Sequence, residues 1–325
     1  MPACRPYWIV ITVVAEVSPV SSKPILITGG AGFIGSHLAD ALLARGFAVR
    51  VLDNLSTGRR ENLDSAVDLI VGDVADADVV DRAVLGCQAV VHLAAVASVQ
   101  ASVEDPVATH RSNFIGTLNV CEAMREAGVA RVLFASSAAV YGHNGQDTAI
   151  SEELPKSPLT PYAVDKLAGE YYLDFYRREH ALEPAIFRFF NVYGPRQDPS
   201  SPYSGVISIF TQRAQSGEPI TVFGDGEQTR DFIYVTDLVE LLVQAIEARD
   251  VADGALNVGL NQVISLNGLL AEIGSLVGGL PTVTYADARP GDIRHSRSDN
   301  RRLLEMYRLE RPTPIAVGLA RLLGA

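Results

Sequence analysis

The sequence predicts an α/β protein: a doubly wound parallel sheet followed by a smaller C-terminal α/β lobe. Three observations carry this expectation. Short apolar runs alternate with helical periodicity through the first half of the chain. The first of these runs is followed by a glycine-rich turn and then a helical pattern. Of the 325 residues, 48% are hydrophobic and 20% charged, which suits a substantial core and two domains.

Residues 1–22 read as an N-terminal extension. Its apolar run Tyr7–Val17 is too short to span a bilayer, is interrupted by Glu16, and leads to no clear cleavage site. Ile25–Thr28 predicts a buried strand, and Gly29, Gly32 and Gly35 follow at intervals of three. Helical periodicity over His37–Arg45 ends near Gly46, and Val49–Leu52 predicts a second strand closing on Asp53. Further strands are expected at Leu69–Val71, Ala89–Leu93 and Arg131–Ala135, with helices at Asn113–Ala127 and Tyr162–His180. Asp231–Ala248 reads as a strand and then a helix. The expected organisation is a Rossmann-type domain at 23–188 and a lobe at 189–325, with 231–257 returning to the first domain.

Glycines let the backbone approach a pyrophosphate, and the helix N-terminus behind them presents free N–H groups and a positive dipole end. A carboxylate closing the second strand accepts ribose hydroxyls and repels a 2′-phosphate, so NAD is favoured over NADP. Arg59 and Arg60 keep the phosphorylated form open. The candidate cofactor residues of this unit are Gly29, Gly32, Phe33, Ile34, Gly35, Asp53 and Asn54. Ligands collect beyond the carboxyl ends of such strands, which adds Asp73 and Val74, with Asp73 as an adenine contact or an ordinary loop aspartate.

A net charge of -11 disfavours nucleic acid or an anionic membrane as partner. Cys4, Cys87 and Cys121 form no framework and suit a reducing, cytoplasmic compartment, and six scattered histidines suggest no metal site. In "TPYAVDKLAGEYY", Tyr162 precedes Lys166 by four residues, so the two share a helix face. Lowering a phenol's pKa by ~3 units, into the neutral range, takes roughly 4 kcal/mol of preferential phenolate stabilisation. An ammonium and a positively charged nicotinamide together can supply it. Tyr171 and Tyr172 have no such partner and are expected to pack.

The ordered segments "TGGAGFIG", "HLAA", "SSAAVYG" and "PYAVDK" resemble the extended short-chain dehydrogenase/reductases. "RFFNVYGPRQDP", "GDGEQTRDFIYVTDL" and "RPGDIRHSRSD" narrow the resemblance to nucleotide-sugar 4-epimerases, over roughly residues 24 to 325. The resemblance implies Tyr162 as acid–base group, Lys166 holding the nicotinamide ribose, and Leu93, Ala94 and Ala95 beside the cofactor. It selects Ser137, four residues before Tyr141, to bridge substrate and phenol, leaving Ser136 as a backbone-bonded strand-end serine. By the same resemblance Asn191, Arg230 and Arg289 grip the diphosphate, Asp292 the nucleoside, and Ser98 and the 200–207 loop lie near the sugar.

Ala138 and Ala139 stand where related dehydratases carry an Asp-Glu pair, and the glutamate of related decarboxylases is missing as well. The implied reaction is therefore the simplest one, oxidation at C4, rotation of the ketosugar and return of the hydride. Ser296 occupies the place of a tyrosine found in hexose-restricted epimerases, leaving room for a 2-acetamido group. The expected substrate is thus UDP-GlcNAc/UDP-GalNAc, as used in polysaccharide biosynthesis. UDP-glucose/UDP-galactose epimerisation is the alternative, and a non-catalytic NAD-binding sensor is the reading from another class. The resemblance also implies a homodimer through the 113–127 and 162–180 helices.

Overall fold

The computed structural model describes residues 23–143, 148–199, 205–288 and 293–324. The N-terminal extension, most of the 200–207 loop, Arg289 and Asp292 lie outside the described residues.

The chain begins with β1 (Ile25–Thr28), α1 (Phe33–Ala44), β2 (Val49–Asp53) and β3 (Asp68–Val71). It continues through α2 (Ala77–Val84), β4 (Ala89–His92), α3 (Val99–Glu104), α4 (Pro106–His110) and α5 (Gly116–Ala127) to β5 (Arg131–Ser137). The long helix α6 (Pro161–His180) then leads to β6 (Glu183–Phe189) and the short β7 (Asn191–Tyr193). The remainder runs α7 (Val206–Ser216), β8 (Ile220–Phe223), β9 (Thr229–Tyr234), α8 (Val235–Glu247), β10 (Ala255–Val258) and β11 (Val263–Ser265). It ends with α9 (Leu266–Val277), β12 (Val283–Ala286), β13 (His295–Ser296), α10 (Arg301–Met306) and α11 (Ile315–Leu323).

Seven parallel strands form the central sheet in the order β10-β6-β5-β4-β1-β2-β3. All four residues of β1 are buried because helices cover both faces of the sheet. Ile25 and Ile27 pack with α1 and α8, while Leu26, one residue out of phase, packs with α2, α5 and α6. The order reverses at β1, where β2 lies on one side and β4 on the other, and this opens the crevice where ligands of such sheets bind.

The second lobe is built on a small sheet in which β9 pairs with β11, β13 and β7, and on the β12–β8 pair. The 231–257 stretch divides. Residues of β9 stay in the small sheet, whereas α8 packs in the central core and β10 pairs with β6. Two helix starts also differ from the sequence pattern. The first helix begins at Phe33, since Gly35 and Ser36 dilute its apolar period. The helix expected from Asn113 runs as a π-turn over Arg111–Ile115 before α5 begins.

Candidate active site

The cofactor cradle follows from backbone geometry. Gly29 has φ of +70°, and a Cβ there would lie 2.8 Å from the backbone of Ala94. At Gly35 a Cβ would come within 2.5 Å of the Gly29 carbonyl oxygen, so the loop and α1 close tightly only with glycine. Helix α1 starts at Gly32 with no side-chain cap and no acidic residue in its first turn. Its leading N–H groups, those of Phe33 and Ile34 included, are the pattern that receives a phosphate. Asp53 is 7% exposed at the end of β2. Its Oδ2 accepts from the Ala31 N–H at 2.9 Å and its Oδ1 from Leu55 N–H at 2.8 Å. Each oxygen keeps a further acceptor position for a hydroxyl. These residues fit a dinucleotide.

Asn54 and Asp73 are used locally. Asn54 Oδ1 accepts from Ser56 N–H at 3.0 Å, and the exposed Asp73 accepts from Ala75 N–H at 2.9 Å, the ordinary loop arrangement. Val74 is buried beneath that turn. Leu93 and Ala94 run beside the glycine loop, their N–H groups donating to the carbonyl and hydroxyl of Thr28 at 3.1 and 3.2 Å, and half-buried Ala95 follows.

Ser137, Tyr162 and Lys166 come together as expected in space. Thr160 caps α6 and Pro161 opens it, which sets Tyr162 in the first turn. The hydroxyl of half-buried Tyr162 lies close enough to Ser137, at the end of β5, for its ionised form to be favoured electrostatically by it. Lys166 is 3% exposed, with Nζ 5.1 Å from the centre of the Phe134 ring and 5.9 Å from that of Tyr162. Burial pulls its pKa down to about 8 against the opposing charge of Asp165. Burial also raises the pKa of Tyr162, with Ser137 pulling the other way. Lysine placement by itself therefore does not bring the phenol down to neutrality. A further positive charge beside the phenol, such as an oxidised nicotinamide, would lower it.

Among the residues expected at the substrate, Asn191 Nδ2 donates to the Asp231 carbonyl at 2.9 Å, and Arg230 Nη1 to the Thr229 carbonyl at 2.9 Å. Ser296 is 9% exposed and stands beside Arg230 in the β13–β9 register. Ser98 caps α3 by accepting from Ala101 N–H at 2.9 Å.

Three features were not visible in the sequence. Ser136 is not bonded to backbone through its hydroxyl; Oγ donates to buried Glu170 at 2.5 Å. His92 is buried between the hydroxyls of Thr28 at 2.7 Å and Thr117 at 3.0 Å, with burial and Lys166 pulling its pKa down to about 3. Asp231, fully buried, accepts from Leu260 and Asn261 N–H at 2.9 and 3.0 Å and from both N–H and Oγ of Ser298. A carboxylate alternating with Arg230 on an apolar strand was the available signal for Asp231. Tyr171 and Tyr172 depart from expectation too, being 64% and 42% exposed, since they fall on the outer face of α6.

Residues 25–259 match the NAD dependent epimerase/dehydratase family, and the chain belongs to it, with NAD as its cofactor. A UDP-glucose 4-epimerase of Mycolicibacterium smegmatis is 40% identical over 305 residues, covering 91% of this chain and 96% of that protein. The crystal structure of a Thermotoga maritima UDP-glucose 4-epimerase with UDP-glucose superposes with a TM-score of 0.88 at 36% identity, over 93% and 97% of the two chains. The UDP-N-acetylglucosamine 4-epimerase of Methanobrevibacter ruminantium, in complex with UDP-N-acetylmuramic acid, does so with a TM-score of 0.88 at 35% identity, over 94% and 98%. Within its family the chain is an NAD-dependent nucleotide-sugar epimerase.

Proposed function

We propose that the protein is a UDP-N-acetylglucosamine 4-epimerase, interconverting UDP-GlcNAc and UDP-GalNAc. The observation that carries this reading is the small side chain of Ser296 beside Arg230, at the position where a tyrosine would crowd a 2-acetamido group. The M. ruminantium relative also supports it.

Gly29, Gly32, Gly35 and the start of α1 would hold the pyrophosphate of NAD, with Asp53 and Asn54 at the adenosine ribose and Lys166 at the nicotinamide ribose. Asp73 and Val74 would border the adenine, and Leu93–Ala95 the middle of the cofactor. The chemistry NAD supplies when bound is reversible hydride acceptance from the sugar C4. Tyr162 takes the proton of the C4 hydroxyl and later returns it. Ser137 bridges that hydroxyl and the phenol, since its own hydroxyl both donates and accepts. Asn191, Arg230, Arg289 and Asp292 fix the nucleoside diphosphate, so the ketosugar alone turns, with Ser98 bordering its path.

The same reading includes a homodimer in the cytoplasm. Val103, Val107, Val164, Tyr171, Tyr172 and Phe175 form an exposed apolar face on α3, α4 and α6, larger than scattered surface residues require; it uses the expected 162–180 helix, but none of its large apolar residues comes from 113–127. Cys87 and Cys121 are free and buried, which supports a reducing compartment. Among the described residues no helix is long and apolar enough to cross a membrane.

The two relatives named UDP-glucose 4-epimerases favour a second reading, the UDP-glucose/UDP-galactose pair. One assay separates them. Purified protein is given each nucleotide sugar in turn, and epimers are quantified by NMR. Turnover of the acetylated pair that falls roughly 100-fold in Ser296→Tyr, with the plain hexose pair retained, is the expected result. Turnover of the plain pair alone by the wild type would sink the assignment.

A further inference from the structure

Tyr162, Lys166 and Glu170 follow one another at four-residue intervals along α6 and so share one face of the helix. Glu170 is buried, at 6% exposure. Its Oε1 accepts from Ser136 Oγ at 2.5 Å and from Arg188 Nε at 2.9 Å, and its Oε2 from Arg188 Nη2 at 2.6 Å. Arg188 stands opposite Ser136 in the β5–β6 register, and its Nη1 donates to the Tyr141 hydroxyl at 2.7 Å. That hydroxyl in turn donates to Asn257 Oδ1 at 2.7 Å. Next to Glu170, a Cβ on Gly169 would lie 2.7 Å from the Phe134 ring, so α6 sits directly on β5 at this point.

Glu170 is engaged by buried donors from β5 and β6, and this excludes it from proton transfer to a sugar. Nor is stability a sufficient reason for the pair, because apolar residues of similar volume fill such sites as well or better. What a carboxylate fork adds is a fixed distance. Ser136 is the neighbour of Ser137, and Glu170 lies two turns along the helix from Tyr162. We propose that Glu170, acting through Ser136, is a positioning residue that sets the spacing of β5 and α6 and thereby the approach of Ser137 to Tyr162. Misplacement of reacting groups by about 1 Å can cost on the order of 100-fold in rate. The proposal rests on Tyr162 being the acid–base group, so its test reads the phenol directly as well as turnover.

The variants are Ser136→Ala, Ser136→Thr and Glu170→Gln in the full chain loaded with NAD. Ser136→Ala removes the tie yet leaves the Glu170–Arg188 fork, so it keeps the fold even where Glu170→Gln does not. The Tyr162 ionisation is followed by ultraviolet tyrosinate absorbance, as the difference from the same protein carrying Tyr162→Phe. In Ser136→Ala the titration moves to higher pH, because a Ser137 held less closely favours the phenolate less. The kcat falls about tenfold with KM nearly unchanged, the acid limb of its pH profile moves up alongside, and Ser136→Thr restores both. A folded Ser136→Ala protein with wild-type titration overturns the proposal, as does equal loss in the Ala and Thr variants. If no nucleotide sugar turns over, the functional reading fails separately, and the titration still decides the role of Glu170.

Discussion

On the cofactor side, residues that meet in space are close along the chain. Gly29, Gly35 and Asp53 belong to one strand–helix–strand unit; the glycine loop folds back onto Asp53 through Ala31, and the turn leaving β2 does so through Leu55. The second lobe is assembled differently. Asp231 on β9 gathers Leu260, Asn261 and Ser298, and β13 joins the sheet over only two residues, His295 and Ser296. A local unit is set by backbone conformation, which tolerates few side chains. A lobe gathered from distant segments depends on single polar hubs. The first should fail abruptly when its backbone is disturbed, whereas the second should lose its grip on the sugar and keep its dinucleotide.

The largest effect lies where the two regions meet. Tyr162→Phe removes the proposed proton acceptor and is expected to lower kcat about 1,000-fold with little change in NAD content. Equal rates in steady-state assays of the two proteins would remove the phenol from the mechanism. Next comes Gly29→Ala, which places a Cβ 2.8 Å from the Ala94 backbone at a φ of +70°. Left-handed backbone and overpacking together cost about 3 kcal/mol, so urea unfolding should shift accordingly and the purified protein should carry less NAD. Asp231→Asn tests the other side. It keeps volume and one acceptor oxygen but turns the other into an NH2 donor, displacing up to three of the four donor bonds, and a cost of about 2 kcal/mol with raised KM and wild-type NAD content is expected. Loss of NAD in that variant would show the lobes to be coupled rather than separable.

The same contrast explains what could be read in the sequence. The sheet, the glycine cradle, Asp53 and the Tyr162–Lys166 pair were legible because each is a short pattern with a local physical cause. Ser137 was found through its distance from Tyr141. Glu170 and Arg188 were not, although Glu170 extends the Tyr162–Lys166 stripe by one more turn, because only the β5–β6 register brings Ser136 and Arg188 to it. Asp231 was hidden for a similar reason, since all four of its donor bonds come from the 260–261 and 298 segments, which no periodicity links to β9. The exposure of Tyr171 and Tyr172 was missed because an apolar face awaiting a partner has the same period as one facing a core.

His92 provides the smallest and most specific test of the local side. Its ring bridges the hydroxyls of Thr28 on β1 and Thr117 on α5, so it joins the strand before the glycine loop to the helix behind β4. Burial holds its folded pKa at about 3, below the ordinary value of 6.5. Below that ordinary value the unfolded chain takes up a proton that the folded chain refuses, so the bridge's stability is complete above pH 6.5 and drains away as the pH falls toward about 3. Between pH 7 and about pH 5.5 this amounts to about 1.3 kcal/mol. His92→Gln removes the titrating group and keeps polar atoms for both threonines. The variant should be less stable at neutral pH, and its deficit relative to wild type in urea unfolding should shrink by that amount on acidification. A deficit that stays constant across the same range would mean that the ring is not held neutral between the two threonines, and that the cradle's rear wall is fixed by packing alone.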